Sequence, residues 1–255
     1  MMLNCDLGES YGAWTMPVDG QIMVHIDMAN IACGFHGGDP LTLQKAIRLA
    51  LEHNVTIGAH PSYPDLQGFG RRSLAMAEDE LIACLHYQIA ALDGMARAQG
   101  GRVEYVKPHG ALYNDMMQNT ELRRSVLKAM TQGPVPDIPL MIQAHPDHEQ
   151  LTLEAAEFGV VLLFEAFADR RYTAQGYLLS RKQAGAVLNE EEAFAQATRL
   201  MDEGVIIAND NSVLAMPVDT LCVHGDSPGA VAMAEALRVA LTKRKLSHIR
   251  PGTNA

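Results

Sequence analysis

The chain is 255 residues long, 48% hydrophobic and 20% charged, which suits one large α/β domain or two small ones with enough core to need no cross-links. Its formal net charge of −10 argues against nucleic acid or an anionic membrane surface as partner, since both are polyanions. No run approaches the ~18 apolar residues that span a bilayer. No basic-then-apolar leader opens the sequence, and Cys5, Cys33, Cys84 and Cys222 form no CxxC pair, so reduced thiols and a cytoplasmic location are expected.

In chain order, a short strand is predicted near Leu3-Asn4-Cys5-Asp6, followed by a glycine-containing loop with Glu9. Residues 21–28 are ambiguous. Ala29 to Cys33 reads as a buried strand, and Asp39-Pro40 opens a helix with an N-cap and a proline at its first position. Val55 to Ala59 is a third strand, and the Pro- and Gly-rich loop 60–72 after it is long enough to be functional. A helix from Ala77 to Ala98 stops at Gly100-Gly101, and Tyr105-Val106-Lys107 is the fourth strand, ending in Pro108-His109-Gly110. Thr120 is expected to cap a helix through Met130. Ile138 to Gln143 is strand five, with a helix from about Pro146 to Phe158. The apolar run Val160 to Phe164 has the composition of a strand covered on both faces. A helix over Glu190 to Met201, a small extra strand at Val205-Ile206-Ile207, a last strand at Thr220 to Val223 and a helix capped by Ser227-Pro228 and running to about Thr242 complete the pattern.

Strands alternating with helices at this spacing give a parallel sheet. Seven main strands imply a closed or nearly closed, TIM-like barrel occupying 1–255 as a single α/β domain, with a frayed tail from about 243; an open doubly wound sheet is the other architecture. Either way, chemistry is delivered at the strand C-termini, and there the polar residues collect.

Lys107 and His109 are two apart on an extended segment, so they share a face. A lysine on a core strand is costly unless it meets an anion. Asp6 needs a partner for the same reason and is a candidate base or ligand. His36, His60, His145 and His224 follow other strands, and each alone is as well explained by packing. Together with Asp6, the imidazoles of His60 and His109 make a mixed set that could take a divalent metal, although no HxxxH or HExxH spacing fixes it. Asp39 reads first as a helix cap, whereas Asp226 is spared that role by Ser227. After the most apolar strand come Glu165, Asp169, Arg170 and Arg171, where one arginine clamps a substrate carboxylate and the other pairs with Asp169. Arg71 and Arg72 offer the same anion-binding groups from a loop. No Gly-x-Ser-x-Gly, Walker A or Gly-x-Gly-x-x-Gly pattern is present.

Six stretches in order, Leu3-Asn4-Cys5-Asp6-Leu7-Gly8-Glu9, Ala29 to Pro40, Gly58-Ala59-His60-Pro61, Val106 to Gly110, Glu165 to Arg170 and Cys222 to Asp226, closely resemble the signatures of the 5-oxoprolinase A-subunit family, also known as lactam-utilisation proteins. One departure is Met2, where the family usually carries an acidic residue. The resemblance implies a distorted barrel like that of the glycoside hydrolase/deacetylase group. It also implies ATP-dependent opening of 5-oxo-L-proline (pyroglutamate) to L-glutamate with the 5-oxoprolinase subunits B and C as partners. Candidate catalytic residues are then Asp6, His60, Lys107, His109, Glu165, His224 and Asp226. Candidate substrate-binding residues are Glu9, Asn30, His36, Asp39, Arg71, Asp169 and Arg171. Two other readings share the same residues: a stand-alone metal-dependent deacetylase or amide hydrolase, and a non-catalytic subunit that holds the lactam for a partner.

Overall fold

A computed structural model describes residues 1–16, 18–223 and 229–248, with side chains to residue 244. Seven parallel strands close into a barrel: β1 (Met2–Leu7), β2 (Met28–Ala32), β3 (Thr56–His60), β4 (Tyr105–Val106), β5 (Leu140–Gln143), β6 (Leu162–Phe167) and, last in the ring, β9 (Thr220–Cys222). Closure is made by β9, which pairs with β6 on one side (Glu165 opposite Thr220) and with β1 on the other (Asn4 opposite Cys222). Strands β7 (Val205–Ile207) and β8 (Val213–Ala215) form a separate antiparallel ribbon.

The helices among the described residues are α1 (Asp19–Ile22), α2 (Pro40–Glu52), α3 (Glu78–Arg97), α4 (Gly110–Gln118), α5 (Thr120–Thr131), α6 (His148–Glu157), α7 (Glu190–Glu203) and α8 (Ala230–His248), with a 3₁₀ turn at Met23–His25. Their apolar faces cover the outside of the barrel. Leu43, Ala46, Ile47 and Ala50 of α2, and Leu81, Leu85, Ile89 and Leu92 of α3, join one continuous core with the outward residues of the strands. A full leucine or isoleucine burial of this kind contributes about 1.5–3 kcal/mol each.

Alternation along the strands sends the other residues to the barrel axis. Its N-terminal end is plugged by Met28, Tyr105, Met141 and, at the edge, Leu163. Tyr105 fits because β3 carries glycine opposite it: a Cβ on Gly58 would lie 2.1 Å from the tyrosine ring. Above this plug the interior turns polar, with Asn4, Asn30, Lys107, Glu165 and Thr220 all buried.

Several local expectations shift. The cap of α5 is Asn119, whose side chain accepts from Leu122 N, and not Thr120, which is the first helical residue. The strand expected over 160–164 is framed as Leu162–Phe167, because Val161 is solvent-exposed at the barrel's outer end. That frame puts Glu165 inside the strand rather than after it. Helix α8 extends beyond Thr242 to His248. The ambiguous stretch 21–28 resolves into the end of α1, the 3₁₀ turn and the start of β2.

Candidate functional site

Short β4 is prolonged by two further ladder bonds: Lys107 N donates to Ala59 O (2.9 Å) and His109 N to Pro61 O (2.8 Å). The extended path keeps Lys107 and His109 on one side, as their spacing predicts. Gly110 then turns the chain into α4 with φ +58°, and a Cβ there would come within 2.5 Å of Gly70 O. Only glycine meets both demands. The loop 60–72 is thereby pinned against the barrel mouth, since Gly70 O also accepts from Ala111 N (2.8 Å).

At the barrel axis the Lys107 ammonium lies 2.8 Å from Asp6 Oδ1 and 2.8 Å from Glu165 Oε1. Burial disfavours its charge, but the Asp6 and Glu165 carboxylates outweigh that and hold its pKa well above the usual lysine value. Glu165 is fully buried and its Oε2 accepts from Tyr113 Oη (2.8 Å). Burial, then the Glu165 charge, pushes the Tyr113 phenol up, so it remains a donor. Beneath Asp6 a saturated amide network fixes the carboxylate: Asn30 Nδ2 donates to Asp6 Oδ1 and Asn4 Oδ1 (both 2.8 Å), Tyr105 Oη donates to Asn30 Oδ1 (2.6 Å), and Asn4 Nδ2 donates to Thr220 Oγ1 (2.9 Å).

Beside this pair lies a histidine cluster. His60 Nδ1 is 2.7 Å from Lys107 O, and His109 Nε2 is 2.9 Å from Phe69 O. A carbonyl only accepts, so each of these nitrogens carries hydrogen. The remaining nitrogens, His60 Nε2 and His109 Nδ1, face each other at 3.0 Å. In neutral rings both are lone pairs, and burial followed by the neighbouring His36 and His60 does hold the His109 pKa well below the usual value. Glu9 Oε1 lies 3.5 Å from His109 Nδ1 and 3.1 Å from His36 Nε2, and Asp6 Oδ2 lies 3.4 Å from His60 Nε2. His36 stacks flat on His109 at 3.7 Å between ring centroids.

This donor set fits a divalent cation. Glu9, His36, His60 and His109 each offer an atom within 4.8 Å of the others. Two imidazoles are oriented by backbone carbonyls in the way metal ligands commonly are. The expected set Asp6, His60 and His109 shares two imidazoles with this cluster, to which the structure adds Glu9 and His36; Asp6 Oδ1 is engaged by Lys107 and Asn30, and Asp6 Oδ2 lies 3.4 Å from His60 Nε2. His36 is the weaker ligand, because its Nδ1 has no partner to orient the ring.

A cavity of about 470 Å³ opens over both groups. Asp6, His60, Lys107 and His109 form its floor, and Arg71, Tyr113, Phe167, Arg170, Arg181 and Lys182 line its sides. Three expected substrate contacts are placed elsewhere. Asp39 is a helix cap: Oδ1 accepts from Leu41 N and Thr42 N, and Oδ2 from Gly12 N and Thr42 Oγ1. Asn30 is buried in the network under Asp6. Arg171 turns outward, donating to Gly185 O and pairing with Glu192 at 3.2 Å, and its neighbour Arg170 takes the inward position. Asp169 is buried beside Arg170, whose charge it supports. His224 and Asp226 lie outside the described residues. Tyr113, Asn4 and Thr220 complete the site unannounced. Asn4 and Thr220 had a signal, since each is a polar residue in register with a charged or inward one on a buried strand.

A model of the LamB/YcsF family matches residues 1–254. The chain is 52% identical over 242 residues to the second 5-oxoprolinase A-subunit of Pseudomonas putida, covering 94% of this chain and 93% of that one. It is 51% identical over 238 residues to the 5-oxoprolinase A-subunit of Chromohalobacter salexigens, covering 93% and 95%. The crystal structure of the lactam utilization protein from Thermus thermophilus superposes with a TM-score of 0.86 at 40% identity, covering 96% of this chain and 97% of that chain. With the same barrel and near-complete coverage of its relatives, the chain belongs to the LamB/YcsF family.

Proposed function

We propose that the chain is the ring-opening A-subunit of a cytoplasmic, multi-component 5-oxoprolinase, a hydrolase that converts 5-oxo-L-proline to L-glutamate with ATP and acts with the subunits B and C. The observation that carries this reading is the Lys107 ammonium held between Asp6 and Glu165 on the floor of a cavity of lactam-admitting size. The names of the relatives support the substrate.

A lactam is an unreactive amide with a poor leaving group. Transfer of the ATP terminal phosphoryl to its carbonyl oxygen, with release of ADP, gives an imidyl phosphate. Water then adds at the ring carbon, the ring nitrogen gains a proton and departs, and a second water hydrolyses the resulting acyl phosphate to glutamate and phosphate. Lys107 stabilises the oxygen that gathers negative charge. Asp6, at the cavity floor and fixed by Asn30, is the group placed to take the proton from water. Glu165 keeps Lys107 charged and in place. His60 and His109 carry protons toward the ring nitrogen. Reconstitution with the subunits B and C, assaying glutamate from 5-oxoproline and ATP, tests this: full turnover by Lys107→Ala or His109→Ala overturns it.

The facing lone pairs of His60 and His109 favour a second reading, in which a divalent metal held by Glu9, His60 and His109 assists hydrolysis. Such a metal would supply Lewis-acid polarisation of a bound oxygen. Activity lost on chelation and independent of ATP would select it.

A further inference from the structure

The segment from 168 to 189, between β6 and α7, is tied back on itself by the bridges Arg170–Val187 and Tyr172–Leu178. It brings Arg170, Arg181 and Lys182 to the cavity, opposite Arg71 from the loop 60–72. Four cations therefore line the sides of a hollow that already holds Lys107 on its floor, in a chain whose net charge is −10. Arg170 is the informative member. It is 5% exposed, one terminal nitrogen donates to Leu179 O (2.6 Å), and its buried Nε has no hydrogen-bond partner. A buried guanidinium edge left unbonded costs free energy unless a ligand completes it. Burial, then the nearby Arg181 charge, lowers its pKa to about 10, despite support from Asp169.

We propose that Arg71, Arg170, Arg181 and Lys182 form a phosphoryl-binding wall above the Lys107 floor. One carboxylate is satisfied by a single bidentate arginine. Four cations match the greater charge and three equatorial oxygens of a phosphoryl group. This wall does what a glycine-rich phosphate loop does elsewhere, and the sequence has no such loop. The phosphoryl belongs either to a nucleotide or to an O-phosphorylated lactam made by a partner protein; the second identity rests on the lactam-opening reading.

Calorimetric titration of the full chain with inorganic phosphate, ATP and 5-oxoproline, at low ionic strength, tests the wall. Wild type is expected to bind phosphate. The Arg181→Ser/Lys182→Ser variant changes only exposed side chains and is expected to weaken that binding about tenfold or more while leaving 5-oxoproline binding intact. Arg170→Lys, which keeps the charge but loses the fork, is expected to weaken it as well. Displacement of phosphate by ATP assigns the wall to a nucleotide; phosphate binding that ATP cannot displace assigns it to the phosphorylated small molecule. No phosphate or ATP binding by wild type, or undiminished binding by the double variant, overturns the proposal. So does equal weakening toward 5-oxoproline, which would make the wall a carboxylate reader. Glutamate formation by the reconstituted complex is scored separately, so the wall can fail while the lactam reading stands.

Discussion

Lys107 and Glu165 form a 2.8 Å ion pair at the barrel axis, with both side chains almost wholly withdrawn from solvent. A buried pair of this kind is costly to break from one side. Lys107→Met leaves the Asp6 and Glu165 carboxylates without their shared cation and is expected to lose about 3–5 kcal/mol in urea denaturation. Glu165→Gln keeps an acceptor for Tyr113 and is expected to lose less. Both should abolish glutamate formation in the reconstituted complex. Since the folded pKa of Lys107 is raised, its contribution is complete at any pH below about 10.5 and is lost only as pH rises past that value toward the folded pKa. A Lys107-dependent change in stability between pH 6 and 9 would contradict the pairing.

The 3.0 Å approach of His60 Nε2 to His109 Nδ1, with Glu9 and His36 alongside, fits a shared proton or a shared metal ion. Protein loaded with zinc or manganese and then dialysed is expected to retain about one equivalent by elemental analysis. Glu9→Gln and His60→Ala should each lower the affinity strongly, and His36→Asn less. Equal retention by all three variants would remove the cluster as the site.

Asp39 offers a test of a residue the structure takes away from chemistry. Bonds from Gly12 N and then Thr42 lower its pKa to about 2. Its stabilising effect is therefore present above the ordinary carboxylate value near 4 and lost as pH falls from there toward about 2. Asp39→Ala is expected to cost about 1 kcal/mol at neutral pH, to flatten the acid limb in that window, and to leave ligand binding unchanged.

Three of the four thiols should be silent. Cys5, Cys33 and Cys222 are buried, and burial raises all three pKa values, that of Cys33 to about 12. Cys84 is half-buried. Native protein is expected to react with a thiol reagent at Cys84 alone, and at all four cysteines once denatured. Rapid native labelling of Cys222 would mean that the axis is open to solvent.

Much of this was legible beforehand, for identifiable reasons. The strand–helix alternation announces the parallel ring, and the two-residue spacing of Lys107 and His109 announces their common direction. The ribbon strand Val213–Ala215 was missed because it is three residues long with two exposed, too short for periodicity to register. Arg170 and Arg171 could not be told apart, because which of two adjacent residues faces inward depends on the pairing of Arg170 with Val187, a tertiary fact. Glu9 and His36 read as substrate contacts in the sequence, and the structure sets them beside His60 and His109; each sits in a glycine-rich loop whose path no pattern encodes. Asn30 reads as a substrate contact in the sequence and sits in the network under Asp6 in the structure, because buried amides that bind and buried amides that brace have the same residue type.

The ring's closure by β9 against β1 joins residue 2 to residue 220. On the ribosome, Asp6 emerges about a hundred residues before Lys107, and the last seam is sewn only once residues 220–222 have been released. Contacts of such sequence separation form slowly. The nascent protein must therefore carry an unclosed sheet edge, with ionisable groups beside it, for most of its synthesis, and chaperone dependence during expression should track the length of that delay.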